Sequence, residues 1–392
     1  MKLLAALTLS FGALTTFSYG ADLIPRRAEN ASIQGEVQLA IDKGLTWLKM
    51  QQKADGSFAN PENPASAEHP ALTALPLIAF QRDPSGRYLS PTPVFMEKGY
   101  EFLRKNAQSD GGIYAKGLSN YNTAVSMMAL LNTREPKDEP IITAARAFVA
   151  GQQATGMAKS ELDGGFGYGP TGASPKRQHP DLDNTLVSLE ALRAYRTARP
   201  TVEIAAKDDL QWGAAIAFIS RTQNLPSHNK EQWASGDAEN KGGFVYYPGF
   251  SNAGEQKLAD GKVALRSYGS MTYGGLLSFI YADLDKGDPR VTAALDWLKR
   301  NYTLEENPGM GRLGLFYYYH LMAKGLSSAG VTELVATDGR KIDWARELAL
   351  KLIATQKGDG SWVNDAPRWM ETDSVLVTSY CVLALEIIAG EL

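Results

Sequence analysis

QKADGSF at residues 52–58 returns near the end of the chain as QKGDGSW at residues 356–362. Related stretches lie between them: QSDGGIY at 108–114, LDGGFGY at 162–168 and KGGFVYYPG at 241–249. The segments that hold them open on Trp47, Phe102, Phe148, Phe218 and Leu352, and a sixth, WLKRNYTLEENPGMGRLGLFYYY, opens on Trp297. Each has an apolar pair closing a helix, usually a Gln or Asn, then a Gly-rich turn and an aromatic. A unit recurring along the chain in this way signals a repeat architecture.

A second apolar segment follows each turn. These are HPALTALPLIAF, YNTAVSMMALLN, LDNTLVSLEALRAY, YGSMTYGGLLSFIYADL, FYYYHLMAKGL and DSVLVTSYCVLALEII. Their apolar residues have helical spacing rather than the alternation of strands. Asn, Asp, Ser or Thr at their starts suit N-caps, among them Asn122 and Thr123. The Gly pairs tolerate positive φ and suit a sharp reversal between two helices.

Six helical hairpins result. Their anchors are 46 to 79 residues apart, and the variation falls in the turns at 154–180 and 224–267, where sites are often elaborated. An open stack needs polar end caps, yet the last helix is apolar almost all round. The expectation is therefore a closed all-α ring, an α/α toroid, with the first hairpin covering the last.

The first twenty residues read as a secretory signal: Lys2, an uncharged apolar run at 3–17, and Ser18 and Gly20 before a cut ahead of Ala21. The mature toroid is then residues 21–392, exported to the periplasm or the outside, without a membrane span. Net charge is −3, or −4 once Lys2 is removed, and acids and bases are mixed, so a nucleic-acid groove has no support. Cys381 is the one cysteine and reads as a buried small hydrophobe.

The repeated turns resemble the prenyltransferase/squalene-oxidase repeat, the QW-type repeat of terpenoid cyclases and protein prenyltransferase β subunits. The resemblance runs from about residue 36 to the end. It implies an α/α toroid whose inner helices surround a central cavity, and says less about activity, because function lives in sites grafted on folds.

Class II terpene cyclases resemble one another in an Asp-x-Asp-Asp-Thr box whose middle Asp protonates the substrate. DLDNT at 181–185 keeps Asp181, Asp183 and Thr185 but has Asn184 at the fourth place. The resemblance implies Asp183 as the acid and Asp181 as its neighbour, since desolvation and a nearby carboxylate hold a carboxyl protonated. Asn184 removes one such neighbour. The competing reading makes DLDNT the polar cap of a structural helix. Cyclases of this class also resemble two-toroid proteins, whereas six hairpins make one.

His320 follows Tyr317, Tyr318 and Tyr319, which point in different directions on a helix. It is either a cavity-wall proton donor or a hydrogen-bonded core histidine. The repeat aromatics Phe58, Tyr114, Phe166, Phe244 and Trp362 read as wedges between hairpins. Tyr246, Tyr247, Tyr268, Tyr273 and Trp369 fall outside that pattern. Tyr168, Tyr246, Tyr273, Tyr318, Trp369 and Arg368 are the expected ligand contacts, by π faces toward cations or sugar rings and by charge. Asp365, Arg368, Glu371 and Asp373 precede the last inner helix. With Asp181, Asp183 and His320 they would line one mouth of the ring, as a glycoside hydrolase or polysaccharide lyase requires. Arg266 and Arg312 are further candidates for reading an acidic ligand.

Two chemistries fail on residue type. The zinc site of the prenyltransferases would need an Asp and a Cys beside His320, where Ser270, Met271 and Thr272 stand. Gly254, Glu255 and Gln256 are reminiscent of a thioester motif, but Ala253 holds the place of the thiol. No metal or cofactor is expected. The leading reading is acid-initiated cyclisation, or binding, of an isoprenoid or other apolar ligand. A carbohydrate-active toroid acting on a glycan and a non-catalytic scaffold remain the alternatives.

Overall fold

The computed structural model describes residues 23–60, 62–156, 160–169, 179–205 and 209–392. The leader expected over residues 1–20, and parts of the turn at 154–180, lie outside the described residues.

Twelve α-helices run in order among them: α1 Leu23–Met50, α2 Pro70–Arg82, α3 Val94–Lys105, α4 Ser119–Leu131, α5 Glu139–Gly151, α6 Leu182–Ala198, α7 Trp212–Ser220, α8 Gly269–Tyr281, α9 Pro289–Arg300, α10 Leu315–Ala329, α11 Trp344–Thr355 and α12 Ser374–Glu391. The even-numbered helices form an inner ring in which each touches the next, and α12 touches α2, so the ring is closed. The odd-numbered helices stand outside it. Helix α1 covers α12, as expected for the apolar last helix. Among the described residues α12 has the length and apolarity to cross a membrane, with mean hydropathy 1.6, but 72% of it is buried within the ring. Two antiparallel hairpins decorate the fold: β1 Glu255–Lys257 with β2 Val263–Leu265, and β3 Leu334–Val335 with β4 Lys341–Ile342. Gly254, Glu255 and Gln256 thus open the first hairpin.

Three recurring residues, two in the turn and one in the inner helix after it, explain how the hairpins that carry them stack at a fixed interval. The first is glutamine. Gln52 donates to Gly56 O in its own turn and to Phe95 O at the start of α3. Gln153 does the same to Gly164 O and Gln211 O, and Gln223 to Gly242 O and Arg290 O. Gln356 donates to Gly360 O and, at 2.9 Å, to Ala40 O in α1, so the same bond closes the ring.

The second is glycine. Gly56, Gly111, Gly164, Gly242 and Gly360 have φ of +91 to +97°, and a Cβ on each would lie 2.1–2.8 Å from a carbonyl oxygen of the next outer helix. Only a residue without Cβ fits that approach. The third is threonine. The buried amides of Phe58, Ile113, Phe166, Phe244 and Trp362 donate to Thr73, Thr123, Thr185, Thr272 and Thr378, each in the following inner helix, at 2.8–3.1 Å. A buried amide left without such a partner would cost about 1–3 kcal/mol.

This register corrects the reading of the second unit. Ile113, not Tyr114, holds the wedge position, and Ala107 stands where four of the other units have glutamine. Tyr114 lies one place on, with its hydroxyl on Asp110. Phe58, Phe166, Phe244 and Trp362 are fully buried between the layers. Asn122 and Thr123 do not cap α4, which starts at Ser119 after Leu118. Instead Asn122 Oδ1 accepts from Ala71 N, satisfying the first turn of the neighbouring α2.

Candidate functional site

The inner helices all begin at one face of the ring, and their first turns surround a cavity of about 430 Å³. The repeat threonine predicts which side chains reach it. The residue two before each threonine lines the cavity: Ala71, Tyr121, Asp183, Ser270 and Leu376. A smaller chamber of about 50 Å³ lies further along the axis. Leu75, Val125, Val187 and Tyr380, two after the threonine, line it, as do Ile78, Met128, Glu190 and Leu383, five after. Steps of four and three residues trace one helix face, so α2, α4, α6 and α12 each present a single stripe to the axis.

That stripe settles how DLDNT divides its labour. Thr185 is the repeat threonine. Asp181 is fully buried and caps α6, accepting from Asn184 N and Asn184 Nδ2, both at 2.8 Å. Asp183, two residues on, is half-buried, faces the large cavity and accepts a hydrogen bond from the Tyr317 hydroxyl. The two readings of the motif therefore fall on different residues: a cap at Asp181 and a cavity carboxyl at Asp183.

Burial raises both carboxyls. Asp181 is pushed up to about 8, by burial first and by Asp183 second, against the opposing bonds from Asn184 and Tyr246. Asp183 is raised by burial, and the Tyr317 bond works the other way. The N-terminal ends of six helices around the cavity also favour the anion. Desolvation favours the proton on this carboxyl, and the Tyr317 bond supports the anion once a proton leaves, a combination compatible with general-acid chemistry.

A pH dependence follows. An unfolded aspartate ionises near ~4, whereas folded Asp181 does so at about 8. Between those values the folded state keeps a proton that the unfolded state has released, so stability falls as pH rises through that window. Asp181→Asn is expected to flatten this decline. Urea midpoints at about pH 5 and about pH 8 measure it; an undiminished decline in the variant would assign it to other groups.

Tyrosines make most of the polar wall: Tyr121, Tyr168, Tyr246, Tyr268, Tyr317 and Tyr380. The Tyr168 and Tyr246 hydroxyls are 3.4 Å apart, and Tyr246 also reaches Asp181. At the mouth lies the short turn Arg368–Met370, in which Trp369 has φ 56° and Met370 φ 63°, a backbone region that favours glycine. Gly314 lets it approach, since a Cβ there would lie 3.1 Å from the Trp369 ring. Arg368 lies over the Trp369 ring and donates to Asn252 Oδ1 at 2.7 Å, and Asn252 Nδ2 donates to Tyr268. The long turn at 224–267 thereby meets the turn before α12 across the mouth.

Several expected contacts lie elsewhere. Tyr273 and Tyr318 are not cavity residues: both are fully buried between helices, with rings 5.6 Å apart, and the Tyr318 hydroxyl bonds to Thr303 O. They sit on the face of α8 and α10 turned from the axis. His320 is not beside Asp183; it lines the smaller chamber, stacked on Tyr380 at 5.3 Å, with Nδ1 unpartnered and its pKa lowered far by burial. A neutral imidazole there is no proton donor to the large cavity.

The acids ahead of α12 do not line the mouth either. Asp373 caps α12, Glu371 accepts from Tyr317 N at the start of α10, and Asp365 pairs with Arg312 on the surface. Among the described residues Asp183 is the one carboxylate in the large cavity's wall. The sequence reading missed His69, Asn252, Tyr121 and Tyr380 as cavity residues; for the last two, position relative to the repeat threonine was the available signal.

No family model and no curated sequence matches the chain. Its fold, an α/α toroid, is similar to solved structures. One is a variant of the type II terpene cyclase MstE from Scytonema with the substrate geranylgeranyl dihydroxybenzoate: TM-score 0.53, 12% identity, 92% of this chain and 100% of that one covered. A second MstE variant, with the product merosterolic acid A, gives 0.52 and 13%, over 92% and 99%. A GH76 α-mannanase of Bacteroides thetaiotaomicron gives 0.56 and 12%, over 90% and 96%. At such identity the likeness is one of fold.

Proposed function

We propose that this chain is an exported, terpene-cyclase-like toroid that takes an isoprenoid or other apolar ligand into its tyrosine-walled cavity. Asp183 donates the proton that starts cyclisation. One observation carries the reading: Asp183 is the one carboxylate on a cavity walled by tyrosines and apolar side chains, among the described residues. The proton adds to the less substituted carbon of a terminal alkene, the positive charge falls on the other carbon, and Asp183 is left as the anion beside the Tyr317 hydroxyl. The ring faces around the cavity stabilise the cation. Glycoside hydrolysis calls for two carboxyls flanking the bond to be cut, and this cavity wall supplies one.

Export rests on the leader at residues 1–20, with the mature chain starting at Ala21. The test is native mass spectrometry with solvent extraction of the purified mature protein. A co-purifying isoprenoid mass supports the reading. Retention of glycans, with no apolar ligand, would replace it with the carbohydrate-active one.

A further inference from the structure

The two axial chambers share three walls. Tyr121, Tyr317 and Tyr380 line both the 430 Å³ cavity and the 50 Å³ chamber beyond it. We propose that these three tyrosines are a floor that sets the length of the ligand the site accepts. The inference rests on the isoprenoid reading and deepens it.

The floor is held on every side. Tyr317 is tied to Asp183 through its hydroxyl and to Glu371 through its backbone amide. Tyr121 and Tyr380 are hydrogen-bonded to each other. Tyr317 and Tyr380 have ring centroids 5.4 Å apart, and the His320 ring stacks under Tyr380. Rings pinned in this way stand between the two chambers on the axis.

The space beneath has an apolar side that suits a chain end. Leu75, Val125, Val187 and Leu383 form that side, while Lys324, paired with Glu190 at 2.5 Å, Arg82 and His320 make the polar part of the wall. A ligand that enters from the mouth therefore ends at the tyrosines, although room with one apolar side continues past them. The same layer puts Tyr317, the partner of Asp183, at the foot of the ligand, so the reacting end is the end that meets the floor.

Removing one floor ring joins the chambers. Wild type, Tyr380→Ala and Tyr380→Leu are compared for binding of geraniol, farnesol, geranylgeraniol and geranylfarnesol by native mass spectrometry, with thermal melting to establish that each variant is folded. The longest alcohol that binds wild type is expected to be followed, in both variants, by the next longer one, tightened about tenfold or more by the added apolar burial. Val187→Phe, which fills the lower chamber, is expected to leave wild type unchanged and to reverse the gain in the Tyr380→Leu background. If wild type binds an alcohol and folded variants show the same length limit, the floor is overturned and the isoprenoid reading stands. If wild type binds none of the four, both fall together.

Discussion

Asp183→Asn protein is expected, on the proposed function, to bind an isoprenoid ligand within about threefold of wild type and to lose turnover by about 10²–10⁴-fold, the usual range for a general acid. Asparagine has nearly the shape of aspartate, and its carbonyl can still accept from the Tyr317 hydroxyl. What it lacks is a proton to give. Burial holds the wild-type carboxyl above its ordinary range, and the Tyr317 bond lowers the anion left behind. The split between binding and turnover separates this role from a structural one. Product formation is followed by mass spectrometry, with Asp181→Asn alongside. Asp181 caps α6 from outside the cavity wall, and asparagine caps as well as aspartate, so its variant is expected to keep turnover and to differ from wild type in how its stability depends on pH. Turnover at the wild-type rate by Asp183→Asn would remove Asp183 as the acid.

Gly360→Ala is expected to destabilise the protein by about 3–5 kcal/mol, in the range reserved for strained backbone and severe steric conflict. Gly360 has φ +97°, and a Cβ there would lie 2.6 Å from Lys43 O in α1. The conflict is with backbone, which cannot swing aside as a side chain does. It also falls on the seam where the sixth hairpin meets the first, next to the bond from Gln356 to Ala40 O. Gly254→Ala is the matched control. It too has positive φ, +82°, but nothing lies within 4 Å of the added carbon, so it is expected to cost about 1–2 kcal/mol. Urea unfolding measures both. Equal losses would mean that the seam is not under the close packing described here.

The hairpins were legible because their signals are local. An Asp-Gly-Ser turn such as 55–57 or 359–361 folds on its own side chain, with Asp55 and Asp359 accepting from the Ser57 and Ser361 amides. Helical periodicity is likewise a property of neighbouring residues. Closure was legible too, because α12 has no polar face to leave in water. In the second unit the reading slipped by a single position: Tyr114 for Ile113 differs by one residue, and one residue turns a side chain out of the wedge.

What the sequence determined by itself was therefore the unit, its number and its closure into a ring, with the acid motif at the start of the third inner helix. Tertiary structure alone decided which of those residues share the cavity. Tyr317 lies 134 residues from Asp183 and Arg368 116 from Asn252, and each pair meets only because the ring closes. Whether a side chain on an inner helix faces the axis or the outer layer depends on how that helix is rotated. On α6 and α8 that rotation is fixed by the Thr185 and Thr272 contacts, and on α10 by the bonds from Tyr317 N to Glu371 and from the Tyr318 hydroxyl to Thr303 O, which is why Tyr273 and Tyr318 turn away while Asp183 and Tyr317 come together.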